Sequence, residues 1–361
     1  MDNIAILGTG LLGTSVGAAA VRVGCTVSGW DGDPATTAVA ATIGGFRAAA
    51  TLEDAVEGAD LVVVCVPSGA IAAVAARALD ATPGAIVTDA GSVKAQVVDQ
   101  VAALVPAASR SRFVGGHPMG GSERSGPAHA AAALVDGIVW VLTPSQETDP
   151  GAVERLGSWV ARLGAQPVQM EPARHDLLVA FVSHLPQVAS TALMGLAATE
   201  EADEPEILLL AAGGFRDLTR LAASNPTLWS DILLANRTAI ARALDLYVAR
   251  LAAIRDLIEG ADAGAVERAF SEAKAARLRL ATKPQVRAGV AVIQVPIPDR
   301  PGALGELTLA LGEGDINIED LQIVHSAEGG RGMVHLTVSA DAAERTSTIL
   351  AARAFDPTRL A

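Results

Sequence analysis

Asn3-Ile4-Ala5-Ile6-Leu7-Gly8-Thr9-Gly10-Leu11-Leu12-Gly13 is a short apolar strand running directly into a Gly-x-Gly-x-x-Gly turn. Such glycines allow a tight turn and let the backbone approach a phosphate. The helix that follows, to about Val23, points its amide-rich end at that anion. A second strand, Thr26 to Trp30, ends at Asp31. A carboxylate roughly twenty residues beyond the glycines accepts hydrogen bonds from an adenosine ribose and repels a 2′-phosphate. Neither Gly32 nor Asp33 supplies a cation. The stretch predicts a doubly wound α/β domain that binds NAD rather than NADP through Gly8, Gly10, Leu11, Leu12, Gly13 and Asp31.

More βα units follow. Leu61 to Val66 is an unalternating apolar run of the kind buried in parallel sheets, ended by Pro67-Ser68, and Val66 and Pro67 join the cofactor set. Ala85 to Asp89 leads into Gly91-Ser92-Val93-Lys94, and strands near Arg112 to Gly115 and Gly137 to Leu142 extend the sheet. A helix from Gly151 to Leu163 and a strand near Pro167 to Met170 complete the domain. Ligands of such sheets sit at the carboxyl ends of the strands, where Ser92 and His117 both fall. His117 lies in Gly115-Gly116-His117-Pro118-Met119-Gly120-Gly121-Ser122-Glu123-Arg124-Ser125-Gly126, read as a loop that leaves the imidazole free. A titratable base aimed into a cofactor cleft suits oxidation of a hydroxyl. Ser92 has two readings, a helix cap before Val93 or a hydroxyl facing the cleft.

From about Pro172 to Ala281 apolar residues recur at three- and four-residue spacing, which predicts helices that bury surface against a second copy. One, Arg174 to Ala198, contains Ser183-His184-Leu185-Pro186; a proline there frees a backbone carbonyl one turn earlier. His184 beside it is either a binding residue or a core histidine. Arg216 and Arg220 stand four apart, the spacing of one helical face, with Asp217 able to pair with Arg220. The alternative to that ion pair is a fork of N–H donors on a substrate carboxylate. Asn225-Pro226 reads as the cap and first residue of another helix, which carries Trp229 back toward the same region. His129, His175, His325 and His335 have no supporting context and read as structural.

Taken in order, the glycine fingerprint, Gly91-Ser92-Val93-Lys94, His117-Pro118-Met119-Gly120-Gly121, Ser183-His184-Leu185-Pro186 and Phe215-Arg216-Asp217-Leu218-Thr219-Arg220 closely resemble the prephenate/arogenate dehydrogenase family of tyrosine biosynthesis. The resemblance covers about residues 1 to 280. It implies that His117 contacts the ring hydroxyl with Ser92 in support, that Arg220 binds a substrate carboxylate, and that His184 lines the pocket. Arg216, Glu123 and Trp229 complete the candidate substrate set. Gly120, where family members often carry alanine, is a small departure. The implied reaction moves hydride from C4 of a cyclohexadiene to NAD while the ring carboxylate leaves as CO2.

Beyond Lys283-Pro284, the order of a strand at Val290 to Pro296, a helix opened by Asp299-Arg300-Pro301-Gly302, and strands at Leu321 to His325 and Met333 to Val338 resembles an ACT domain. This implies a βαββαβ module whose effector, tyrosine being the obvious one, binds beside Asp299, Gly302, Leu304 and Asn317; a structural dimerisation domain is the other reading. The expected plan is therefore an NAD-binding Rossmann domain at 1–170, an all-α substrate and dimerisation domain at 171–283, and an ACT-like α+β domain at 289–361.

Bulk properties narrow the alternatives. Net charge is −13, which argues against nucleic acid or an anionic membrane as partner. Half the residues are hydrophobic but only 3% aromatic, so the core is built from Ala, Val and Leu. Ile4 to Val21 lacks charge, yet the early charge is Asp2 rather than a cation, against a signal peptide. Cys25 and Cys65 sit in apolar runs and read as reduced thiols, consistent with a cytoplasmic homodimer. No cluster has metal-ligand spacing. A β-hydroxyacid dehydrogenase would use a lysine base, and none lies between Lys94 and Lys274. A non-enzymatic NAD or amino-acid sensor would need an output element, which is missing. Prephenate and arogenate differ by a keto group against an ammonium, and Glu123 and Asp217 are the acidic residues that bear on that choice.

Overall fold

The computed structural model describes residues 1–120, 124–281, 290–298, 300–325 and 331–360. The chain divides into two compact units, Met1–Leu209 with Asp217–Ala249, and Leu210–Arg216 with Arg250–Ala361.

In the first unit, β1 (Asn3–Leu7), α1 (Leu11–Arg22), β2 (Thr26–Trp30), α2 (Pro34–Gly44), β3 (Arg47–Ala48), α3 (Leu52–Val56), β4 (Leu61–Val64), α4 (Ser68–Ala81), β5 (Ile86–Asp89), α5 (Ala95–Leu104), α6 (Ala107–Arg110) and β6 (Phe113–Pro118) alternate as a doubly wound domain. The sheet is completed by β7 (Val139–Thr143), α7 (Pro150–Arg162) and β8 (Gln166–Gln169), in the order β3-β2-β1-β4-β5-β6-β7-β8. Strands β3 through β6 are parallel, β7 runs antiparallel to β6, and β8 is parallel to β7. The reversal follows from the β6–β7 connection, whose described part holds two short 3₁₀ turns, Pro127–His129 and Ala132–Val135, instead of a crossover helix.

Alternation along β1 builds two cores. Ile4 and Ile6 pack with Val16 and Ala19 of α1 and Leu156 of α7. Ala5 and Leu7 pack on the other face with Leu52 of α3, Ile71 of α4 and Val97 of α5. Burial also holds the Cys65 thiol up at about 12, with the Asp89 charge adding to the shift, so it is inert.

The helical part begins with α8 (Pro172–Val179), a π-helical turn at Ala180–His184 and α9 (Leu185–Glu200) as one rod. Pro186 falls in the first turn after the π segment, where its missing N–H is tolerated. By length and composition this rod can cross a membrane, but His175, Asp176, His184, Gln187 and Ser190 are all buried on it. Further on come α10 (Glu206–Leu209), α11 (Gly213–Thr219), α12 (Pro226–Ala235), α13 (Arg237–Glu259) and α14 (Ala263–Ala281). Asn225 caps α12 by accepting from the Thr227 and Leu228 amides at 3.0 and 3.2 Å, as its sequence predicts.

The second unit closes with β9 (Val290–Pro298), α15 (Ala303–Glu313), β10 (Asp320–His325), β11 (Arg331–Ser339), α16 (Ala343–Ala352) and β12 (Thr358–Leu360). The expected βαββαβ order is present as an antiparallel sheet, β10-β11-β9-β12, with Ile293, Leu307, Leu336 and Leu350 in its core.

Candidate active site

Two glycines of the first turn have no room for a side chain. Gly8 has φ +94, and a Cβ there would lie 2.6 Å from the Cys65 carbonyl oxygen; a Cβ on Gly13 would lie 1.9 Å from that of Gly8. Gly10 is the opposite case, with nothing within 4 Å of its Cβ position. It starts α1 without a side-chain cap, so no side chain satisfies the amides of the first turn. Asp31 accepts from the Thr9 amide at 2.8 Å through Oδ2 and from the Asp33 amide at 3.1 Å through Oδ1. Each oxygen keeps a lone pair for a hydroxyl. Val66 and Pro67 follow β4 beside this turn. An uncapped helix start, an open glycine and a placed carboxylate fit a dinucleotide.

At the carboxyl end of β5, Asp89 and Lys94 form a fully buried ion pair. Asp89 also accepts from the amides of Gly91 at 2.9 Å and Gly116 at 3.1 Å, while Lys94 Nζ donates to the Gly116 carbonyl at 2.7 Å. Gly116, the residue before His117, is therefore gripped at both its N–H and its C=O. Close packing requires glycine here as well, since a Cβ on Gly116 would meet the Asp89 carbonyl oxygen at 2.4 Å.

His117 was expected in a loop; it is the next-to-last residue of β6, paired with Val141 of β7. Nor is its ring free. Nδ1 lies 2.8 Å from His175 Nε2, with the two rings edge to face at 5.0 Å. His175 Nδ1 in turn lies 2.8 Å from Asp176 Oδ1. Asp176 accepts from the Lys94 amide at 2.8 Å and the Ala95 amide at 2.9 Å, capping α5 from a helix far along the chain. Ser92 is thus not the cap; α5 starts at Ala95, and the half-buried Ser92 hydroxyl has no hydrogen bond recorded among the described residues.

Asn236 Nδ2 donates to the Asp176 carbonyl at 2.8 Å and lies 3.2 Å from His184 Nδ1. Trp229 stands edge to face against His184 at 6.0 Å. The proline-adjacent histidine thus pairs with an asparagine, not with a freed carbonyl, and two substrate candidates meet. Burial lowers the proton affinity of His117 well below the usual 6.5, helped by His175, Lys94 and His184. It takes His184 to about 4, against the pull of Asp176. Both rings are neutral at pH 7.

The α-helix that carries Arg216 stops at Thr219, and Arg220 opens a 3₁₀ turn, Arg220–Ala223. That turn is held by Gln187 Nε2 on the Leu221 carbonyl at 2.8 Å and by the Ala222 amide on Ser190 Oγ at 3.1 Å. Arg216 belongs to the second compact unit and Arg220 to the first. Glu123 and Asp299 lie outside the described residues. Gly302 starts α15 at φ +88, Leu304 joins the core beneath it, and Asn317 Nδ2 donates to Glu319 Oε1 at 2.9 Å. Among the described residues no group of three His, Cys, Asp or Glu is placed for a metal.

Sequence reasoning missed His175, Asp176 and Asn236, and read Lys94 only as part of a motif. The available signal was the dipeptide His175-Asp176 one turn into a helix, an acid beside an imidazole at a position too early to be core.

Residues 17–169 match the family model described as prephenate dehydrogenase, nucleotide-binding domain, and residues 171–272 match prephenate dehydrogenase, dimerization domain. The chain is 37% identical over 258 residues to the prephenate dehydrogenase of Bacillus subtilis, covering 71% of this chain and 69% of that protein. The A. aeolicus prephenate dehydrogenase solved with hydroxyphenyl propionate and NAD+ superposes with a TM-score of 0.72 at 28% identity, over 78% of this chain and 98% of that one. Synechocystis arogenate dehydrogenase superposes with a TM-score of 0.68 at 29% identity, over 77% and 99%. With a half-buried neutral histidine at the end of a dinucleotide-binding sheet and both family models matched one after the other, the chain belongs to the prephenate dehydrogenase family.

Proposed function

We propose that this protein is an NAD-dependent prephenate dehydrogenase and that His117 is its base. The observation that carries the reading is the neutral His117 held at the carboxyl edge of the same sheet whose first strand runs into the uncapped start of α1. Gly8, Gly10, Gly13 and Asp31 would hold NAD, which would supply the hydride acceptor for C4 of the ring. His117 Nε2 takes the hydroxyl proton as positive character develops at C4, and Ser92 supports the hydroxyl. Loss of CO2 sends its electron pair into the ring, and His117 returns the proton to the resulting phenolate oxygen, so no proton is gained or lost overall. Arg220 grips a substrate carboxylate, and His184 and Trp229 form a wall of the pocket. Fixing the substrate this way supplies orientation.

The functional regions read as 1–170 for the dinucleotide, 171–283 for substrate and a second subunit, and 289–361 as an ACT-like module. That last reading is supported by the βαββαβ order and by the left-handed Gly302 at the start of α15. Tyrosine binds there beside Asp299, Gly302, Leu304 and Asn317. The buried polar side chains on the α8–α9 rod favour a subunit helix over a membrane span, consistent with a cytoplasmic homodimer.

Incubating the protein with NAD and either prephenate or arogenate, and following reduced cofactor, tests the reaction. Turnover of prephenate is expected; turnover of arogenate alone moves the substrate but keeps the chemistry, and turnover of neither rejects the enzyme. Asp31→Asn removes the charge that repels a 2′-phosphate. The ratio of NADP to NAD dissociation constants is then expected to narrow by roughly tenfold or more, from loss of a charge-assisted hydrogen bond. Calorimetric titration of both nucleotides reads it, and an unchanged ratio places the ribose elsewhere.

A further inference from the structure

Resting on the reading of His117 as the base, we propose that His175 and Asp176 form a proton relay behind it, fixing its tautomer and taking up its charge during the reaction. Capping α5 accounts for the Asp176 carboxylate, but not for the buried histidine set at 2.8 Å steps between it and the His117 ring.

The tautomers follow from the end of the chain. A carboxylate only accepts, so His175 Nδ1 must carry a proton and donate it to Asp176 Oδ1. In the neutral ring His175 Nε2 is then a lone pair, and it accepts from His117 Nδ1–H. That leaves the lone pair of His117 on Nε2, the nitrogen turned away from the relay. Asp176 is anchored for the task, since the Lys94 and Ala95 amides at the start of α5 donate to its two oxygens. A helix N-terminus favours the negative charge there.

The surrounding charges explain why a single histidine does not suffice. Facing His117 are His175 from α8, His184 from the π segment, and Lys94 ahead of α5, and all three disfavour a proton on it. Facing His175 are Asp176 on its own helix, His117 and His184. When the substrate hydroxyl proton reaches His117 Nε2, the Nδ1 proton passes to His175 Nε2. The positive charge then lies beside the Asp176 carboxylate instead of near Lys94. The steps reverse when the phenolate is protonated. His175 and Asp176 are positioning residues and do not touch substrate.

Three variants and two readouts test this. His175→Gln offers an acceptor to His117 and a donor to Asp176 but cannot carry a proton. His175→Phe fills the space without hydrogen bonds, and Asp176→Asn removes the charge, at some risk to the start of α5. Imidazole nitrogen NMR of the free protein is expected to show His117 as the Nδ1–H tautomer in the wild type and in His175→Gln, and as a mixture in His175→Phe. With KM within about twofold, kcat is expected to fall roughly tenfold in His175→Gln and roughly 10²-fold in His175→Phe, with the acid limb of the pH profile displaced. A His117 found as the Nε2–H tautomer in the wild type overturns the relay, as does a His175→Gln enzyme with wild-type kcat and pH profile. A wild type inactive on both ring substrates sinks the functional reading instead, and the tautomer measurement still decides the relay geometry.

Discussion

Replacing His117 with asparagine is expected to lower kcat on prephenate by about 10²–10⁴ while leaving NAD binding intact. The side-chain amide of asparagine reaches about as far as Nδ1, so it can still bond His175, but the outer lone pair is gone. Burial, then His175, Lys94 and His184, put the proton affinity of His117 well below 6.5. The wild-type kcat/KM is therefore expected to stay level through pH 6.5 and to fall only well below it, and the variant should lack that limb. The same shift affects folding. Between the depressed folded value and the ordinary unfolded one, the unfolded chain binds more protons, so stability is complete above about pH 6.5 and declines as pH drops beneath it. A variant with kcat within tenfold of wild type would show that another group takes the proton.

The second large effect concerns Lys94. Its ammonium is fully buried against Asp89 and reaches the Gly116 carbonyl. Lys94→Met strands a buried carboxylate and a carbonyl oxygen, and such a loss costs roughly 3–5 kcal/mol. The guanidinium unfolding midpoint is expected to fall accordingly, with kcat falling too, because the clamped peptide directly precedes His117. Replacing both partners, Asp89→Leu with Lys94→Met, should recover much of the stability but not the activity, since the Gly116 peptide stays unclamped. A single variant as stable as wild type would mean that the two amides already bonded to Asp89 are enough to hold it.

Local features were the legible ones. Strands β1 and β2 have the predicted limits, Asn225 caps its helix, and the strand-helix-strand-strand order of the C-terminal segment could be read from turn residues and alternation. What escaped was long-range. The direction of β7 depends on whether the preceding connection contains a helix, and a segment of Gly, Ala, Ser and Pro has no period to reveal it. The 3₁₀ turn that begins at Arg220 left no mark either, because helical spacing reads the same through Thr219. His175 passed as structural because its partner lies 58 positions earlier in the chain, and Asp176 because it caps a helix 81 positions away. Hydrogen bonds that span such distances leave no periodic trace.

The π-helical turn at Ala180–His184 sets the phase of the whole rod. At about 100° per residue, the nine steps from His175 to His184 would put the two rings about 180° apart in a regular helix. One residue absorbed by the wider turn brings that to about 80°, near enough for Asn236 to bond both the Asp176 carbonyl and His184. The bulge behaves as a one-residue insertion whose removal lengthens no loop and breaks no strand. Deleting Phe181 or Val182 would leave eight regular steps, about 80° again, so the helix would lose its bulge while His184 still faced Trp229 and Asn236. In this rod the irregular turn is what allows two histidines on one helix to serve one pocket.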